Sequence, residues 1–161
     1  MPFVMLRVRW IASFCLLVLL SACEPVIPTG EAPPSDGPSV EYLRADSTSS
    51  FPFSDAVRVG HMLFLSGQIG TDSTGALVEG GIAAETRQTM DNIQAVLQRN
   101  GSSLDEVVKC TVMIEDIAQW GELNEIYRTY FPNHFPARSA LGADGLALGA
   151  LVEIECWATA G

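Results

Sequence analysis

The chain has 161 residues, of which 48% are hydrophobic, and a formal net charge of −10 at pH 7. Such an acidic chain without a basic cluster is not a general nucleic-acid binder, because binding to phosphates needs a positively charged surface. Its two histidines stand apart and its four cysteines form no CxxC pair, so the sequence indicates no metal site.

Residues 1–22 are typical of an export signal. Two arginines precede an uncharged apolar run over residues 10–20, and this run is shorter than the roughly 20 residues that span a membrane. Small residues then lead to Cys23, and the segment LSAC is similar to the cleavage box of bacterial lipoproteins. We therefore predict that Cys23 is lipidated and anchors the mature protein on the periplasmic side of a membrane in the cell envelope. An ordinary signal peptide and an uncleaved anchor are the alternatives.

Residues 23–50 are predicted to form a disordered tether. Prolines, serines and threonines are frequent here and large apolar side chains are few, so this segment cannot bury enough surface to order itself. Residues 51–161 remain, and about 110 residues are enough for one domain but not for two. Without residues 1–22 the chain loses two arginines and no acid, so its net charge changes from −10 to −12, which favours solubility.

Two short strands and a long helix are predicted at the start of the domain. Residues 57–59 and 62–68 alternate in the manner of paired strands around a tight turn at Gly60-His61. A loop rich in glycine and threonine follows. Apolar residues recur at helical spacing over residues 83–99, and Gly101 is a typical helix stop, so this segment is predicted as the first helix.

A strand and a second helix are predicted in the middle of the domain. The strand alternates apolar and polar residues, and its predicted inward residues are Val108, Cys110, Val112 and Ile114. Asp116 can cap the following helix and Pro132 ends it. The inward stripe of this helix is predicted to contain Trp120, Leu123, Tyr127 and either Tyr130 or Phe131.

A final strand pair is predicted around the loop over residues 142–149. Its last strand turns apolar residues to one face and Glu153, Glu155, Trp157 and Thr159 to the other. Two carboxylates on one face need a partner, water or a catalytic role. Arg138 is the nearest cation in sequence, and an arginine beside a carboxylate suits an anionic substrate and a positioned water. The alternative is a structural ion pair between Arg138 and Glu153.

The order of these elements predicts an α+β fold, with two helices on one face of a mixed sheet and the other face left bare. A bare face suggests self-association. Cys110 and Cys156 both fall on the apolar phase of predicted strands. We interpret them as two buried thiols. A disulfide is the alternative if their strands are neighbours in an oxidising periplasm.

Several separate segments carry a family resemblance. The motifs PARSA and VEIE lie near the C-terminus, and they are preceded by FPFSDAVRVGHMLFLSGQIG, ETRQTMDNIQAVLQRNGSSLDEVVKCTVMIEDI and LNEIYRTYF. In sequence and in order these segments resemble the reactive intermediate deaminase family (RidA/YjgF). The resemblance covers about residues 51–160. It implies a chorismate-mutase-like fold, assembled as a homotrimer with active sites in the clefts between neighbours. It also implies hydrolysis of reactive enamines and imines, such as 2-aminoacrylate and 2-iminopropanoate, to a 2-keto acid and ammonia without a cofactor.

The same resemblance implies which residues form the site. Arg138 would hold the substrate carboxylate with two parallel hydrogen bonds, and Glu153 would position the attacking water and carry protons. The further substrate contacts that the resemblance implies are Ser66, Gly67, Asn124 and Ala140, together with Phe53. Family members place a tyrosine near Phe53, which itself has no hydroxyl and can only form an apolar wall.

A non-catalytic trimer is the second hypothesis. It would bind small carboxylates or unfolded client proteins at the cell envelope. Export and the missing hydroxyl at Phe53 favour this binder, whereas the presence of both Arg138 and Glu153 favours the deaminase. Ribonuclease activity, a label attached to some relatives, is disfavoured by the acidic composition.

Overall fold

The computed structural model describes residues 37–46 and 51–161. The predicted export signal, the lipidation site at Cys23 and most of the predicted tether lie outside these residues and stay predictions. Within the described ranges, no helix is long and apolar enough to cross a membrane. No group of three side chains in the same ranges could hold a metal ion.

Seven strands and two α-helices in the described ranges form an α+β domain, as predicted. The strands are β1 (Val40–Leu43), β2 (Ala56–Val59), β3 (Met62–Leu65), β4 (Gln68–Ile69), β5 (Val107–Ile114), β6 (Ala137–Gly142) and β7 (Val152–Thr159). The helices are α1 (Gly81–Arg99) and α2 (Trp120–Tyr127).

The strand order is β1-β2-β3-β7-β5-β6, with β4 paired to β7. The sheet is mixed because β5 and β6 are parallel while β5 and β7 are antiparallel. The last two strands exist but are not a pair, since β5 lies between them.

Strand β1 corrects the predicted extent of the tether. Val40–Leu43 pairs antiparallel with Ala56–Val59, and Leu43 packs against the core. The prediction of disorder was therefore wrong for these residues. Local composition could not reveal the strand, because its stability comes from hydrogen bonds to β2 and from contacts with distant core residues.

The helices cover one face of the sheet and bury its inward side chains. The predicted inward residues of β7, which are Val152, Ile154, Cys156 and Ala158, are each 0% exposed. Met90, Ile93 and Leu97 of α1 belong to the same buried cluster. Burial of a side chain of this size stabilises the fold by about 1.5–3 kcal/mol. Because the neighbours of Glu153 on β7 face this core, the Glu153 side chain lies on the opposite face of the sheet.

A register shift in β5 changes which valine is buried. Val107 pairs with Ala158 and Lys109 pairs with Trp157, with an irregularity between Val107 and Lys109. Val107 is 2% exposed, whereas Val108 is 43% exposed. The prediction that Val108 points inward was wrong, because a β-bulge adds one residue to the strand and inverts the alternation there.

Cys110 and Cys156 form a disulfide. They are direct partners on β5 and β7, with their Cα atoms 4.1 Å apart. The preference for two free thiols was therefore wrong, and the alternative holds. The sequence could not decide this, because the 46 residues that separate the cysteines contain α2 and β6 and do not indicate that β5 and β7 are neighbours.

In the part of the chain that the structure describes, no helix covers the opposite face of the sheet, as predicted. A row of partners crosses it from Tyr42 through Val57 and Phe64 to Trp157. The rings of Phe64 and Trp157 meet edge to face with their centroids 5.2 Å apart. Tyr42 is 76% exposed and Trp157 is 38% exposed. We call this surface the bare face.

Candidate active site

Arg138 lies on the helix-covered side of the sheet. It is the second residue of the edge strand β6, and the parallel register places it beside Cys110. Its guanidinium carbon lies 4.7 Å from the centroid of the Tyr127 ring and 5.8 Å from that of Trp120. Two aromatic faces at these distances attract the cation and restrict its position. Among the described residues no carboxylate forms an ion pair with Arg138.

A cavity of about 280 Å³ opens beside this guanidinium. It is lined by Trp120, Asn124, Tyr127, Arg128, Phe135, Pro136 and Arg138. A second cavity shares Trp120 and Arg138 and adds Ile117 and Ala140. The structure therefore brings together three of the predicted site residues: Arg138, Asn124 and Ala140.

Two buried polar atoms that line the first cavity have no hydrogen-bond partner among the described residues: Oδ1 of Asn124 and the hydroxyl of Tyr127. Buried polar atoms in proteins are usually paired, so these two atoms beside a guanidinium are available to hydrogen-bond a polar ligand. Burial raises the pKa of Tyr127 to about 12, while the charge of Arg138 acts in the opposite direction. Tyr127 is therefore a neutral phenol at physiological pH and can donate a hydrogen bond.

The roles of Trp120 and Tyr127 were not predicted, because the helical spacing indicated that both belong to the core. Tyr127 is indeed buried, at 4% exposure, but Trp120 is 46% exposed. Its prediction as an inward residue was wrong, since it begins α2 next to the edge strand β6 and lines the cavity instead. The spacing of residues 120, 124 and 127 places them on one side of a helix, and this was the available signal. We call Trp120, Asn124, Tyr127, Arg138 and Ala140 the arginine half-site.

Glu153 lies on the bare face, half-buried, where it pairs with Ile69 on one side and Met113 on the other. Gly67 packs against its carboxylate. A Cβ added at Gly67 would overlap Oε1 of Glu153 and lie 2.8 Å from its Cδ. Burial, and then the negative charge of Glu155, raise the pKa of Glu153 above its usual value. A carboxyl group with a raised pKa suits a residue that takes up and releases protons.

Phe53 and Ser66 also lie on this side of the molecule. Both line a cavity of about 550 Å³ on the bare face. The Ser66 hydroxyl donates a 2.7 Å hydrogen bond to the carbonyl of Ser54, so it already has an acceptor within the chain. Ser66 directly precedes Gly67, which connects this cavity to the carboxylate of Glu153. We call Phe53, Ser66, Gly67 and Glu153 the acid half-site.

The two half-sites do not meet within one chain. Arg138 is beside Cys110, whose side chain faces the helices, whereas Glu153 is beside Met113 on the opposite face. The two residues lie on the strands that flank β5, three positions apart along it. With about 4.8 Å between strands and 3.3 Å per residue, their Cα atoms are about 14 Å apart. A single chain therefore presents an arginine and an acid in opposite directions.

Comparison with known proteins identifies the family. Residues 45–160 match the family model described as Endoribonuclease L-PSP. The chain belongs to this family, the RidA/YjgF family. A human relative named 2-iminobutanoate/2-iminopropanoate deaminase is 43% identical over 111 residues, which cover 68% of this chain and 81% of the human protein.

Solved structures of RidA proteins share the fold. The yeast protein YEO7 has a TM-score of 0.72 and 36% identity, covering 76% of this chain and all of the yeast chain. A Rid-family protein from Yersinia pestis has a TM-score of 0.71 and 38% identity, covering 75% of this chain and 99% of the other. The family prediction and the predicted RidA-type fold are therefore confirmed. The homotrimer and the roles of individual residues stay predictions.

Proposed function

We propose that this RidA protein is an enamine/imine deaminase that hydrolyses 2-imino acids to 2-keto acids and ammonia. The observation that carries the proposal is the pair of half-sites. One offers an unpaired guanidinium beside unpaired polar atoms, and the other offers a carboxyl group with a raised pKa. The human and mouse relatives, both named 2-iminobutanoate/2-iminopropanoate deaminase, support the same reaction.

The complete site requires two copies of the chain. Arg138 and Glu153 point to opposite faces, so a ring of identical chains can bring the arginine half-site of each copy against the acid half-site of the next. We propose a homotrimer, in which the bare face and the edge strand β6 form the subunit boundaries. Each boundary then holds one active site.

The arginine half-site would bind and orient the substrate. The guanidinium of Arg138 donates two parallel hydrogen bonds to the substrate carboxylate. The neutral phenol of Tyr127 and the amide of Asn124 supply the remaining polar contacts in the cavity. Fixing the carboxylate leaves the imine carbon exposed to the acid half-site of the neighbouring copy, and this positioning lowers the barrier to attack.

Glu153 would move the protons. As a carboxylate it accepts a proton from water while the water oxygen forms a bond to the imine carbon, and it returns this proton to the imine nitrogen, which gives a neutral carbinolamine. The carboxylate then accepts the hydroxyl proton of the carbinolamine and passes it to the nitrogen as the C–N bond breaks, so that the carbonyl forms and ammonia leaves. An enamine enters this route after protonation of its β-carbon. No oxidant, reductant or cofactor takes part in these steps.

We also propose that the protein works outside the cytoplasm, anchored through Cys23. The buried disulfide between Cys110 and Cys156 supports this location, because such bonds persist in oxidising compartments. Metabolic labelling with a fatty acid tests the anchor. The label is expected on the wild-type protein and not on Cys23→Ser, and an equally labelled Cys23→Ser protein would contradict lipidation.

A coupled assay tests the reaction itself. An amino-acid oxidase generates the imine, and semicarbazide traps the imine that the deaminase has not yet hydrolysed. The mature protein is expected to suppress semicarbazone formation from the imine, and Arg138→Ala is expected to lower kcat/KM about 10²-fold or more. A protein that hydrolyses no imine yet binds small carboxylates would be the non-catalytic binder instead.

A further inference from the structure

The cavity of about 550 Å³ on the bare face is larger than a methyl side chain needs. It is lined by Tyr42, Arg44, Pro52, Phe53, Ser54, Val57 and Ser66, and we call it the aromatic cavity. It adjoins the acid half-site, because Ser66 lines it and the next residue, Gly67, packs against Glu153. A substrate whose reacting carbon lies at Glu153 can therefore extend its side chain into this space.

Two aromatic side chains in the walls of the aromatic cavity are exposed in the single chain. Tyr42 is 76% exposed and Phe53 is 52% exposed. Phe53 stacks on Phe51 with the ring centroids 5.3 Å apart, which restricts the ring that faces the cavity. The Ser66 hydroxyl donates its hydrogen bond to the carbonyl of Ser54, so it is not available to donate to a polar ligand. Exposed aromatic rings around a concave surface are typical of sites for apolar ligand groups.

Arg44 adds a cation to these walls. Among the described residues it forms no ion pair, although acids outnumber bases in the chain by 19 to 9. A guanidinium stacks well on an aromatic ring, through its planar shape and its attraction to the ring's π-face. A cation beside two aromatic rings thus suits an aryl group better than a methyl group.

We propose that the aromatic cavity binds the substrate side chain, and that the preferred substrates are 2-imino acids with an aryl side chain. This inference rests on the proposed deaminase function. The carboxylate of such a substrate lies at Arg138 of one copy, its imine carbon at Glu153 of the next, and its ring between Tyr42 and Phe53 with Arg44 at one edge. An imine derived from alanine leaves the cavity empty.

The experiment compares two imines on the assembled mature protein. One is derived from phenylalanine and the other from alanine, each generated by an amino-acid oxidase. The ratio of their kcat/KM values is measured for the wild type, for Tyr42→Ala and for the control Val40→Ala. Val40 lies on the same strand and is 52% exposed, but it does not line the aromatic cavity.

We expect the wild type to prefer the phenylalanine-derived imine. Tyr42→Ala is expected to lower the preference about tenfold, because one of the two rings that hold the aryl group is gone. Val40→Ala is expected to leave the preference as in the wild type. Because Tyr42 is not part of the buried core cluster, its removal leaves the core of each chain intact, and the trimer is verified by its mass before the assay. A preference that is the same in Tyr42→Ala and in the wild type would overturn the proposal.

A binding measurement separates this proposal from the deaminase proposal. Calorimetry with phenylpyruvate and pyruvate, the two keto-acid products, reports on the cavity without turnover. If the protein hydrolyses neither imine, the deaminase proposal fails. The aromatic cavity is then still supported by tighter binding of phenylpyruvate that weakens in Tyr42→Ala, and it is overturned by equal binding of the two keto acids.

Discussion

The arginine half-site and the acid half-site hold their charged groups by different means. In the first, Arg138 lies against Tyr127 and Trp120 on one side of α2, so aromatic side chains hold the cation. In the second, Glu153 packs against Gly67, so the backbone of a neighbouring segment leaves room for the carboxylate. In the first half-site two rings attract the cation without neutralising it, whereas the second carries an acid whose ionisation is opposed by burial and by Glu155. Neither half-site contains a charge opposite to that of its own Arg138 or Glu153. This indicates that each half-site faces a ligand or a second copy of the chain.

Glu153→Gln is expected to have the largest effect on activity, because it removes the proton carrier and keeps the shape of the acid half-site. The substrate carboxylate still binds at Arg138, so kcat is expected to fall about 10³-fold with little change in KM. Steady-state kinetics with the oxidase-coupled assay measures both constants. A rise in KM with unchanged kcat would show that Glu153 binds substrate and carries no proton.

Removal of the disulfide tests a cross-link that supports the strands of both half-sites. The bond joins β7, which carries Glu153, to β5, which holds the edge strand of Arg138. For a loop of 46 residues, loss of the cross-link is expected to lower the free energy of unfolding by about 4 kcal/mol. Denaturant unfolding of the Cys110→Ala/Cys156→Ala double variant measures this change.

The same variant also gives a kinetic control. Because neither cysteine lines any of the three cavities, kcat/KM at denaturant concentrations below the unfolding transition is expected to stay within about twofold of the wild type. An unfolding free energy equal to that of the wild type would contradict the role of the disulfide in supporting both strands.

Tyr127→Phe tests whether the hydroxyl of Tyr127 in the arginine half-site contacts the substrate. It keeps the ring beside Arg138 and removes the hydroxyl, which has no hydrogen-bond partner among the residues that the structure describes. If the hydroxyl donates to substrate, kcat/KM is expected to fall about tenfold at unchanged stability. Tyr130→Phe is the matched control, since it removes a hydroxyl that donates to Asp91 and lies outside the arginine half-site, and it is expected to leave kcat/KM as in the wild type. A Tyr127→Phe protein with wild-type kinetics would limit Tyr127 to holding the arginine.

Glu155→Gln gives the smallest expected effect and concerns the acid half-site alone. The charge of Glu155 raises the pKa of Glu153, so its removal is expected to lower that pKa. Because Glu153 must be ionised to accept a proton, kcat/KM declines as the pH falls through its pKa. The acid limb of the pH profile is therefore expected to move to lower pH. A limb that stays in place would show that another group controls it.

Much of this fold is readable from the sequence, and the reasons are local. The alternation in β7 places Glu153 opposite the buried residues, and the helical spacing of α1 predicts its packed side. The PARSA motif draws attention to Arg138. Each of these signals depends on a few neighbouring residues and on a strong hydrophobic pattern.

The features that were missed depend on pairings between distant segments. The disulfide follows from the pairing of β5 with β7, and the strand at Val40–Leu43 follows from its pairing with β2. The burial of Val107 in place of Val108 follows from a bulge. The opposite directions of Arg138 and Glu153 were not missed in this sense, because the family resemblance already implied sites between neighbouring copies; in the structure these directions follow from the registers of β6 and β7 on β5. No local pattern encodes a register between strands that are far apart in sequence.

Co-expression of the Arg138→Ala and Glu153→Gln chains in equal amounts tests most directly whether two copies form one site. Each variant alone has lost one half-site and is expected to be nearly inactive. If the site lies at a subunit boundary, random assembly joins an intact Arg138 to an intact Glu153 at about one boundary in four, so about a quarter of the wild-type kcat is expected to return. Activity of the mixed assemblies no higher than that of the separate variants would contradict a site shared between two copies.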